Sequence, residues 1–378
     1  MKVYLDNAAT TPIDERVFEA MKPFLMEHFG NPSSIHSHGR RARSAIEKAR
    51  KQVADILNVA PSEVFFTSGG TEADNTIIKN SIKTFGIKHA ITSKIEHPAV
   101  LHTLEHLENV GKINLHFVDL DEKGQVNYDH LEELLANHKN AFLSLMHANN
   151  EIGNILDLKR VGDLCMEQNA FFHSDTVQTI GHHELDLSKI NIQSIVGSAH
   201  KFHGPKGIGL MYIQAAKQIS PMMIGGGQER NMRGGTENVS GIVGLAKALD
   251  LAHAEKNESL AKLSDLKKYT INKLHENFDN ISFNGLSADL DNSLDKVLSI
   301  RIPGIEDNDM LLFNLDINGI SVSGGSACAS GSSIGSHVLD ALNIDGKNLG
   351  TLRVSFSKFN TREEIDYLIE KLDEAIKS

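Results

Sequence analysis

Cysteine is scarce in this chain of 378 residues, which contains only Cys165 and Cys328. Two thiols are too few for a disulfide framework or for a metal site made of four thiolates. The sequence also lacks an apolar run long enough to cross a bilayer. Its first residues, 1–6, have neither the apolar core nor the small-residue cleavage site of a signal peptide. We therefore expect a cytoplasmic protein without structural disulfides.

Positive charge is also limited, because 38 Lys and Arg accompany 49 Asp and Glu and the net charge at pH 7 is −11. Nucleic acid is therefore not an expected partner. With 40% hydrophobic and 23% charged residues, the composition is ordinary for a globular protein. The length predicts a large domain over residues 16–258 and a smaller C-terminal domain over 259–378, with residues 1–15 packing near the smaller one.

Short apolar runs alternate with helical patterns through the first two thirds of the chain. We predict strands at 64–67, 89–92, 115–118, 141–146, 170–173, 195–197 and 208–211, with helices such as 71–84 and 158–168 between them. This alternation predicts an α/β fold with a mostly parallel sheet covered on both faces. Ligands of such sheets bind at the carboxyl ends of the strands. A long helix from Val239 to about Phe278 is predicted to lead into a second region, with strands at 297–302 and 352–356 and helices at 309–318 and 361–377.

Lys201 follows the sixth of these strands, between His200 and His203. A lone lysine in a loop is usually a solvated surface charge. Lys201, however, lies on a connection held by predicted strands at both ends, where functional side chains are common. The other strand ends decide between the two interpretations.

Polar residues follow the other strands at the same edge. The segment 67–72 opens a helix with two glycines and a threonine, which suits a phosphate, although a simple helix cap is the alternative. It has neither the ending of a P-loop nor the spacing of a dinucleotide fingerprint. His97 follows the second strand, and a purely structural histidine is the alternative to a site residue there. Two asparagines at 149–150 follow the fourth strand. Asp175 follows the fifth and, as a buried carboxylate, requires a partner.

A phosphate site, an imidazole, a buried carboxylate and a lysine are together the groups that pyridoxal phosphate requires. Lys201 is suited to form a Schiff base with its aldehyde, and Asp175 to keep the pyridine nitrogen protonated. His97 is suited to stack on the ring, while segment 67–72 binds the phosphate. We therefore predict a pyridoxal 5'-phosphate enzyme.

Five longer motifs carry a further signal: 4–12 (YLDNAATTP), 67–75 (TSGGTEADN), 149–153 (NNEIG), 200–207 (HKFHGPKG) and 325–328 (GSAC). Together they resemble the cysteine desulfurases of the NifS/IscS type, in the class V aminotransferase superfamily. The resemblance covers essentially the whole chain. It implies the fold-type I architecture of pyridoxal-phosphate enzymes, a homodimer with active sites near the interface, and conversion of L-cysteine to L-alanine with sulfur passed on for iron–sulfur cluster assembly or other thio-cofactors.

The resemblance also implies roles for single residues. It gives Lys201, Asp175 and His97 the roles stated above. The remaining cofactor-binding residues would be Gln178 at the phenolic oxygen, Gly70, Thr71, Ser198 and His200 at the phosphate, and Thr236 at the phosphate of the other subunit.

Asn150 and Arg353 resemble the groups that hold the substrate carboxylate. An arginine fork suits that task, although without the resemblance Arg353 is equally an ordinary charge on a half-exposed strand.

The two cysteines have different surroundings. Cys165 lies on the apolar side of a helical pattern and is predicted to be buried and inert. Cys328 lies in 321–337, where seven Ser and four Gly make up eleven of the seventeen residues. That composition is typical of a mobile loop that carries a functional thiol. The alternative is a surface loop whose cysteine has no function. A Cys328 thiolate is suited to take the sulfur of the substrate as a persulfide and to carry it to an acceptor or scaffold protein.

Three features depart from the family pattern. Residues 333–335 replace a common Leu-Glu-Pro, Ala199 replaces a glycine, and the sequence ends at Ser378 without the tail by which some relatives bind the scaffold protein. The acceptor therefore stays open. Selenocysteine lyase or another β-elimination is the alternative activity, and a non-catalytic sulfur-carrier or assembly subunit is the alternative class.

Overall fold

The computed structural model describes residues 1–305, 307–324, 336–344 and 349–377. A short strand, β1 (Val3–Tyr4), precedes a seven-stranded sheet. The strands of this sheet are β2 (Val64–Thr67), β3 (His89–Thr92), β4 (Asn114–Phe117), β5 (Phe142–Ser144), β6 (Phe171–Asp175), β7 (Ser194–Ser198) and β8 (Gly209–Ile213). Their order is β2-β8-β7-β6-β5-β3-β4, and β8 alone runs antiparallel to its neighbours. The predicted α/β class is confirmed.

Helices cover both faces of this sheet. They are α1 (Glu15–Met26), α2 (Ser37–Leu57), α3 (Gly70–Phe85), α4 (Pro98–Asn109), α5 (Tyr128–Asn137), α6 (Leu158–Glu167) and α7 (Val239–Ala254). Successive strand residues point to opposite faces, so Phe171 joins the apolar core beneath α3 and α4, whereas Phe172 joins the core beneath α2, α5 and α6. Burial on both faces explains why the strands are continuous apolar runs.

The long helix predicted from Val239 divides into α7 and α8 (Lys256–Asn277). At the break, Glu255 accepts a hydrogen bond of 2.7 Å from Lys358 and pairs with Arg16. The division has a packing reason, because α7 packs on α1 and α2 and α8 packs on the last helix of the chain. One straight helix would not follow both surfaces.

The C-terminal elements follow α8, and all of them except α10 form a second apolar core together with α8. They are β9 (Ser282–Phe283), β10 (Val297–Pro303), α9 (Asn308–Ile317), β11 (Ile320–Ser321), α10 (His337–Ala341), β12 (Leu349–Ser355) and α11 (Arg362–Lys377). An antiparallel sheet has the order β12-β10-β9, and β11 pairs in parallel with β1. Val3 and Leu5 are buried in this core. Within the described ranges, none of the helices has the length and apolarity required to cross a membrane.

Candidate active site

A cavity of about 360 Å³ opens at the carboxyl ends of the central strands. Its size is that of a small-ligand site, which ranges from about 300 to 1,000 Å³. Apart from Thr236 and Cys328, every residue predicted for the site lines this cavity: Gly70, Thr71, His97, Asn150, Asp175, Gln178, Ser198, His200, Lys201 and Arg353. The structure thus brings together side chains that the sequence places at the ends of five strands and in one strand of the C-terminal region.

Lys201 lies in a short 3₁₀ turn directly after β7. Its Nζ donates hydrogen bonds to the carbonyl oxygens of Ala8 and Ala9, at 2.6 and 2.8 Å. The carbonyl of Lys201 accepts a hydrogen bond of 3.0 Å from His182 Nε2. The amine is therefore held by the N-terminal segment (residues 6–14) rather than exposed, which removes the interpretation of Lys201 as a solvated surface charge.

Asp175 is the last residue of β6, and it is buried. Its Oδ1 accepts a hydrogen bond of 2.8 Å from the backbone N–H of Val177. Burial raises the pKa of the Asp175 carboxyl, and the opposing effects of His97 and Lys201 are smaller. A ligand that places a protonated group next to this carboxylate would offset the free-energy cost of burying the negative charge of Asp175.

His97 is the N-cap of α4, and its Nδ1 accepts a hydrogen bond of 3.1 Å from the N–H of Ala99. This bond requires an unprotonated Nδ1, so the proton of the neutral ring is on Nε2. Burial lowers the pKa of His97 and favours the neutral imidazole. The structure therefore presents a fixed, neutral, planar ring to the cavity.

The start of α3 forms one end of the cavity. Its N-cap, Gly69, provides no side-chain acceptor for the first amide groups of the helix. A Cβ on Gly70 would lie 2.9 Å from Val177 Cγ2, so only glycine fits there without a shift. Ser198, at the end of β7, is buried beside these glycines. Helix amides next to a hydroxyl group favour an anion.

His200 completes this end of the cavity and shares a hydrogen bond of 3.1 Å with Thr10 Oγ1 through its Nδ1. Burial lowers the pKa of His200 to about 4, so the ring is neutral near pH 7. Gln178 Nε2 donates a bond of 3.0 Å to the carbonyl of Ala8. Its Oε1 is buried and has no hydrogen-bond partner among the described residues. The cavity therefore contains a polar atom that a ligand can satisfy.

Arg353 lies in β12 and extends from the second core into the cavity. Its guanidinium donates a bond of 2.8 Å to Asp6 and one of 3.1 Å to the carbonyl of Asn150. Arg353 Nε is buried without a hydrogen-bond partner in the described part of the chain. The Arg353 side chain is 1% exposed. The alternative interpretation, an ordinary charge on a half-exposed strand, is therefore wrong. Asp6, which orients it, was missed by sequence reasoning.

Asp74 also lines the cavity and was not predicted, although it lies within motif 67–75. It follows Gly70 by one helical turn and therefore points towards the same side of α3. Its Oδ1 lies 3.2 Å from His173 Nε2, and His173 Nδ1 lies 3.1 Å from Ser194 Oγ. Burial raises the pKa of Asp74 and lowers that of His173 to about 3. These groups form a buried polar layer beneath the cavity.

The loop that carries Thr236 lies outside this cavity. Thr236 is exposed, and the loop is joined to the start of α3 by Arg233, whose Nε donates a bond of 2.9 Å to Glu72. Further back in the loop, Glu229 is buried and pairs with Arg50 at 2.8 Å. The contact of Thr236 with another subunit stays a prediction.

Cys328 lies outside the described residues. The described residues on either side of it contact residues of the cavity or their neighbours in the chain. Ser323 pairs with Arg353, which lines the cavity, through their backbones, and Ser336 donates a hydrogen bond to the buried carboxylate of Glu151, which follows Asn150. Cys165 is buried in α6, as predicted, and burial raises its pKa far above the ordinary value of a thiol. It is therefore inert near neutral pH.

Comparison with known proteins agrees with this geometry. The class-V aminotransferase family matches residues 3–368. The cysteine desulfurase IscS of Dictyoglomus turgidum is 41% identical over 379 residues, which cover 99% of this chain and 94% of that protein. A solved structure of a NifS-like protein is 39% identical, covers 100% of both chains and superposes with a TM-score of 0.92. The structure of SspA in complex with cysteine is 31% identical, with a TM-score of 0.80 over 96% of this chain and 100% of that one.

The motif resemblance and the fold-type I architecture are thereby confirmed, and this chain belongs to the class-V aminotransferase family, among its IscS- and NifS-type cysteine desulfurases.

Proposed function

We propose that this protein is a pyridoxal-phosphate-dependent cysteine desulfurase that converts L-cysteine to L-alanine and passes the sulfur on for iron–sulfur cluster assembly or other thio-cofactors. The observation that carries the proposal is the single cavity in which Lys201, Asp175 and Arg353 meet. Members of this family use pyridoxal phosphate, and the name of the D. turgidum relative states the same activity.

The donor set of the cavity fits pyridoxal phosphate. The uncapped start of α3, with Gly70, Thr71, Ser198 and His200, supplies N–H and hydroxyl groups for a phosphate. Asp175 supplies a buried carboxylate for a protonated ring nitrogen, and Gln178 Nε2 is suited to the phenolic oxygen. His97 provides a flat neutral surface for the ring. When bound, the cofactor withdraws electrons from the α-carbon of an amino acid substrate.

Lys201 supplies the amine that holds the cofactor aldehyde. For this reaction its Nζ must be unprotonated, and its two present acceptors, the carbonyls of Ala8 and Ala9, also tolerate a neutral amine as a donor. The N-terminal segment therefore positions Nζ through two neutral carbonyl acceptors. A carboxylate at the same place would favour the charged ammonium, which is not a nucleophile.

Arg353 and Asn150 are proposed to orient the substrate through its carboxylate. Asp6 fixes one end of the guanidinium, so a substrate carboxylate meets a pre-oriented donor instead of a mobile side chain. The buried Nε has no hydrogen-bond partner among the residues that the structure describes, so its N–H is suited to that carboxylate. Preorganisation of this kind reduces the entropy that binding would otherwise cost.

Cys328 is proposed to receive the sulfur. In this transfer the Cβ–S bond of cysteine breaks and an S–S bond forms on the Cys328 thiolate. The carbon fragment keeps the electron pair of the broken bond and gains a proton to become alanine. The segment that carries Cys328 joins Ser323, paired with Arg353, to Ser336, bonded to Glu151. One end of the segment thus pairs with Arg353, which lines the cavity, and the other end contacts the residue that follows Asn150, which also lines it.

A homodimer is proposed because large apolar side chains are exposed along the surface near the N-terminus and next to the Thr236 loop. Ile35 is 89% exposed and Ile224 is 91% exposed, and Met26 and Phe29 are also exposed. Large apolar side chains that are this exposed favour a protein contact. In such a dimer, Thr236 would reach the phosphate of the other subunit.

The test is incubation of the purified protein with L-cysteine and a reductant, followed by measurement of alanine and sulfide. We expect the two products in equal amounts, and in a parallel incubation without reductant we expect one added sulfur on Cys328 by mass spectrometry. Cys328→Ala should lose sulfide formation, and Cys165→Ala is the matched control that should keep it. Full activity in Cys328→Ala would refute the sulfur-transfer step.

The alternatives give different results in the same assays. A selenocysteine lyase would process selenocysteine and leave cysteine unreacted. A non-catalytic sulfur carrier or assembly subunit would lack a cofactor absorbance that borohydride alters. In that case Lys201→Ala would leave the absorbance spectrum unchanged. Loss of that absorbance in Lys201→Ala supports the proposed enzyme.

A further inference from the structure

Three histidines meet at the far end of the large sheet. His89 opens β3, His116 lies in the edge strand β4, and His138 directly follows α5. All three are half-buried, and one ring nitrogen from each lies within 4.8 Å of the others. His89 begins its strand and His138 precedes β5, so the cluster lies towards the amino ends of the strands, away from the cavity of Lys201.

The fold brings these side chains to one face. In the parallel β3–β4 register, His116 is opposite Ile91, and His89 and Ile91 share a face because they are two residues apart. Ile91 is buried in the core that α5 covers, together with Leu135 of α5. The same face therefore presents two imidazoles to the end of α5, where His138 adds a third.

The distances suit a shared ion. His89 Nδ1 and His116 Nε2 are 3.1 Å apart, and the rings of His116 and His138 are stacked, with centroids 4.0 Å apart and planes 18° from parallel. Because the lone pair of each ligand nitrogen lies in its ring plane, binding of a shared ion requires at least one ring to turn about its side-chain bonds. Ligand nitrogens about 2.0–2.1 Å from a tetrahedral zinc ion are separated by slightly more than 3 Å. The negative end of the α5 dipole, close to His138, also favours a cation. Imidazole is a preferred ligand of zinc, copper and nickel ions.

We propose that His89, His116 and His138 form a binding site for a divalent transition-metal ion, zinc in the first instance, that joins the edge strand β4 to the end of α5. Three protein ligands leave the fourth tetrahedral position to water. The inference is independent of the desulfurase activity, since no residue of the site in the cavity takes part. The ion would stabilise the end of the sheet that is formed by β4.

The test uses the full-length holoenzyme after chelator treatment and gel filtration. Zinc is titrated by calorimetry, and cobalt is titrated by visible absorbance, since tetrahedral cobalt with nitrogen ligands has a characteristic spectrum. We expect one saturable ion per chain at this cluster and a rise in thermal midpoint. His116→Gln and His138→Gln should each weaken binding by more than about tenfold, the loss that even an outer-shell partner commonly causes.

His106→Gln is the matched control, because His106 is an exposed histidine of α4 outside the cluster. It should bind zinc as the parent does. Cobalt bound at a thiol would give a sulfur charge-transfer band, which separates this site from the active-site cysteine. The proposal is overturned if the parent binds no zinc at micromolar concentration, or if both cluster variants bind it as tightly as the His106→Gln control.

Discussion

Glu229→Gln is predicted to destabilise the protein strongly. Glu229 and Arg50 form a fork of two hydrogen bonds of 2.8 Å each, and both side chains are 2% exposed. Glu229 also accepts a bond of 2.8 Å from the N–H of Phe66 in β2. The pair therefore joins the loop that carries Thr236 to the edge of the large sheet.

The expected cost follows from what the substitution leaves behind. A glutamine removes the negative charge and turns one N–H₂ group towards the guanidinium, so the buried Arg50 keeps only the half-buried Glu47, 3.3 Å away, and the carbonyl of Val64 as partners. Removal of one partner from a buried pair costs about 3–5 kcal/mol. The backbone adds a second reason, because residues 229–231 all have positive φ, of 44, 56 and 66°. Such strained residues persist only while their surroundings hold them.

Urea unfolding followed by circular dichroism measures this cost. Asp265→Asn is the matched control, since its pair with Arg362 is about half exposed, at 52% and 54%, and exposed pairs contribute at most about 1 kcal/mol. The double variant Arg50→Met/Glu229→Met should recover part of the loss, because it leaves no buried charge. A cost for Glu229→Gln no greater than that of Asp265→Asn would refute the reasoning.

Three further substitutions test other buried groups. Lys296 Nζ is buried with no hydrogen-bond partner in the described ranges, so Lys296→Met should stabilise the protein by about 1–3 kcal/mol in urea unfolding, and a loss of stability would contradict this. Burial raises the pKa of Glu96 from 4.5 to about 8, so its contribution to stability is lost as pH rises through that interval. Glu96→Gln keeps an acceptor for the Met146 N–H, and its stability relative to the parent should therefore increase between about pH 5 and pH 8; a constant difference would be the contrary result. Ser336→Ala removes the N-cap of α10 and the partner of Glu151, at a cost of about 1 kcal/mol, and it should slow persulfide formation measured by mass spectrometry; an unchanged rate would separate this cap from sulfur transfer.

Much of the fold is predictable because local patterns and tertiary packing agree. The strands of the large sheet are apolar runs, since helices bury both of its faces, and their predicted positions overlap the observed ones. The break between α7 and α8 at Glu255 was missed. Both sides of Glu255 have good helical patterns, and only their packing on two different cores requires a break.

The sequence by itself determined the chemistry of the site. Each strand of a parallel sheet ends at the same edge, so the order of apolar runs was enough to group Lys201, Asp175 and His97. Arg353 belongs to the other core, and its place in the cavity came from the motif resemblance, not from any local pattern.

Tertiary structure alone decided how these groups are held. Asp6 orients Arg353, the Ala8 and Ala9 carbonyls receive Lys201 Nζ, and His173 lies behind Asp74. The same is true of the three histidines on β3, β4 and after α5. These contacts join residues far apart in the chain, and their geometry depends on how whole elements pack. Residue type and spacing predict which chemistry is available, whereas burial and the directions of hydrogen bonds, which exist only in the folded chain, decide what each group can do.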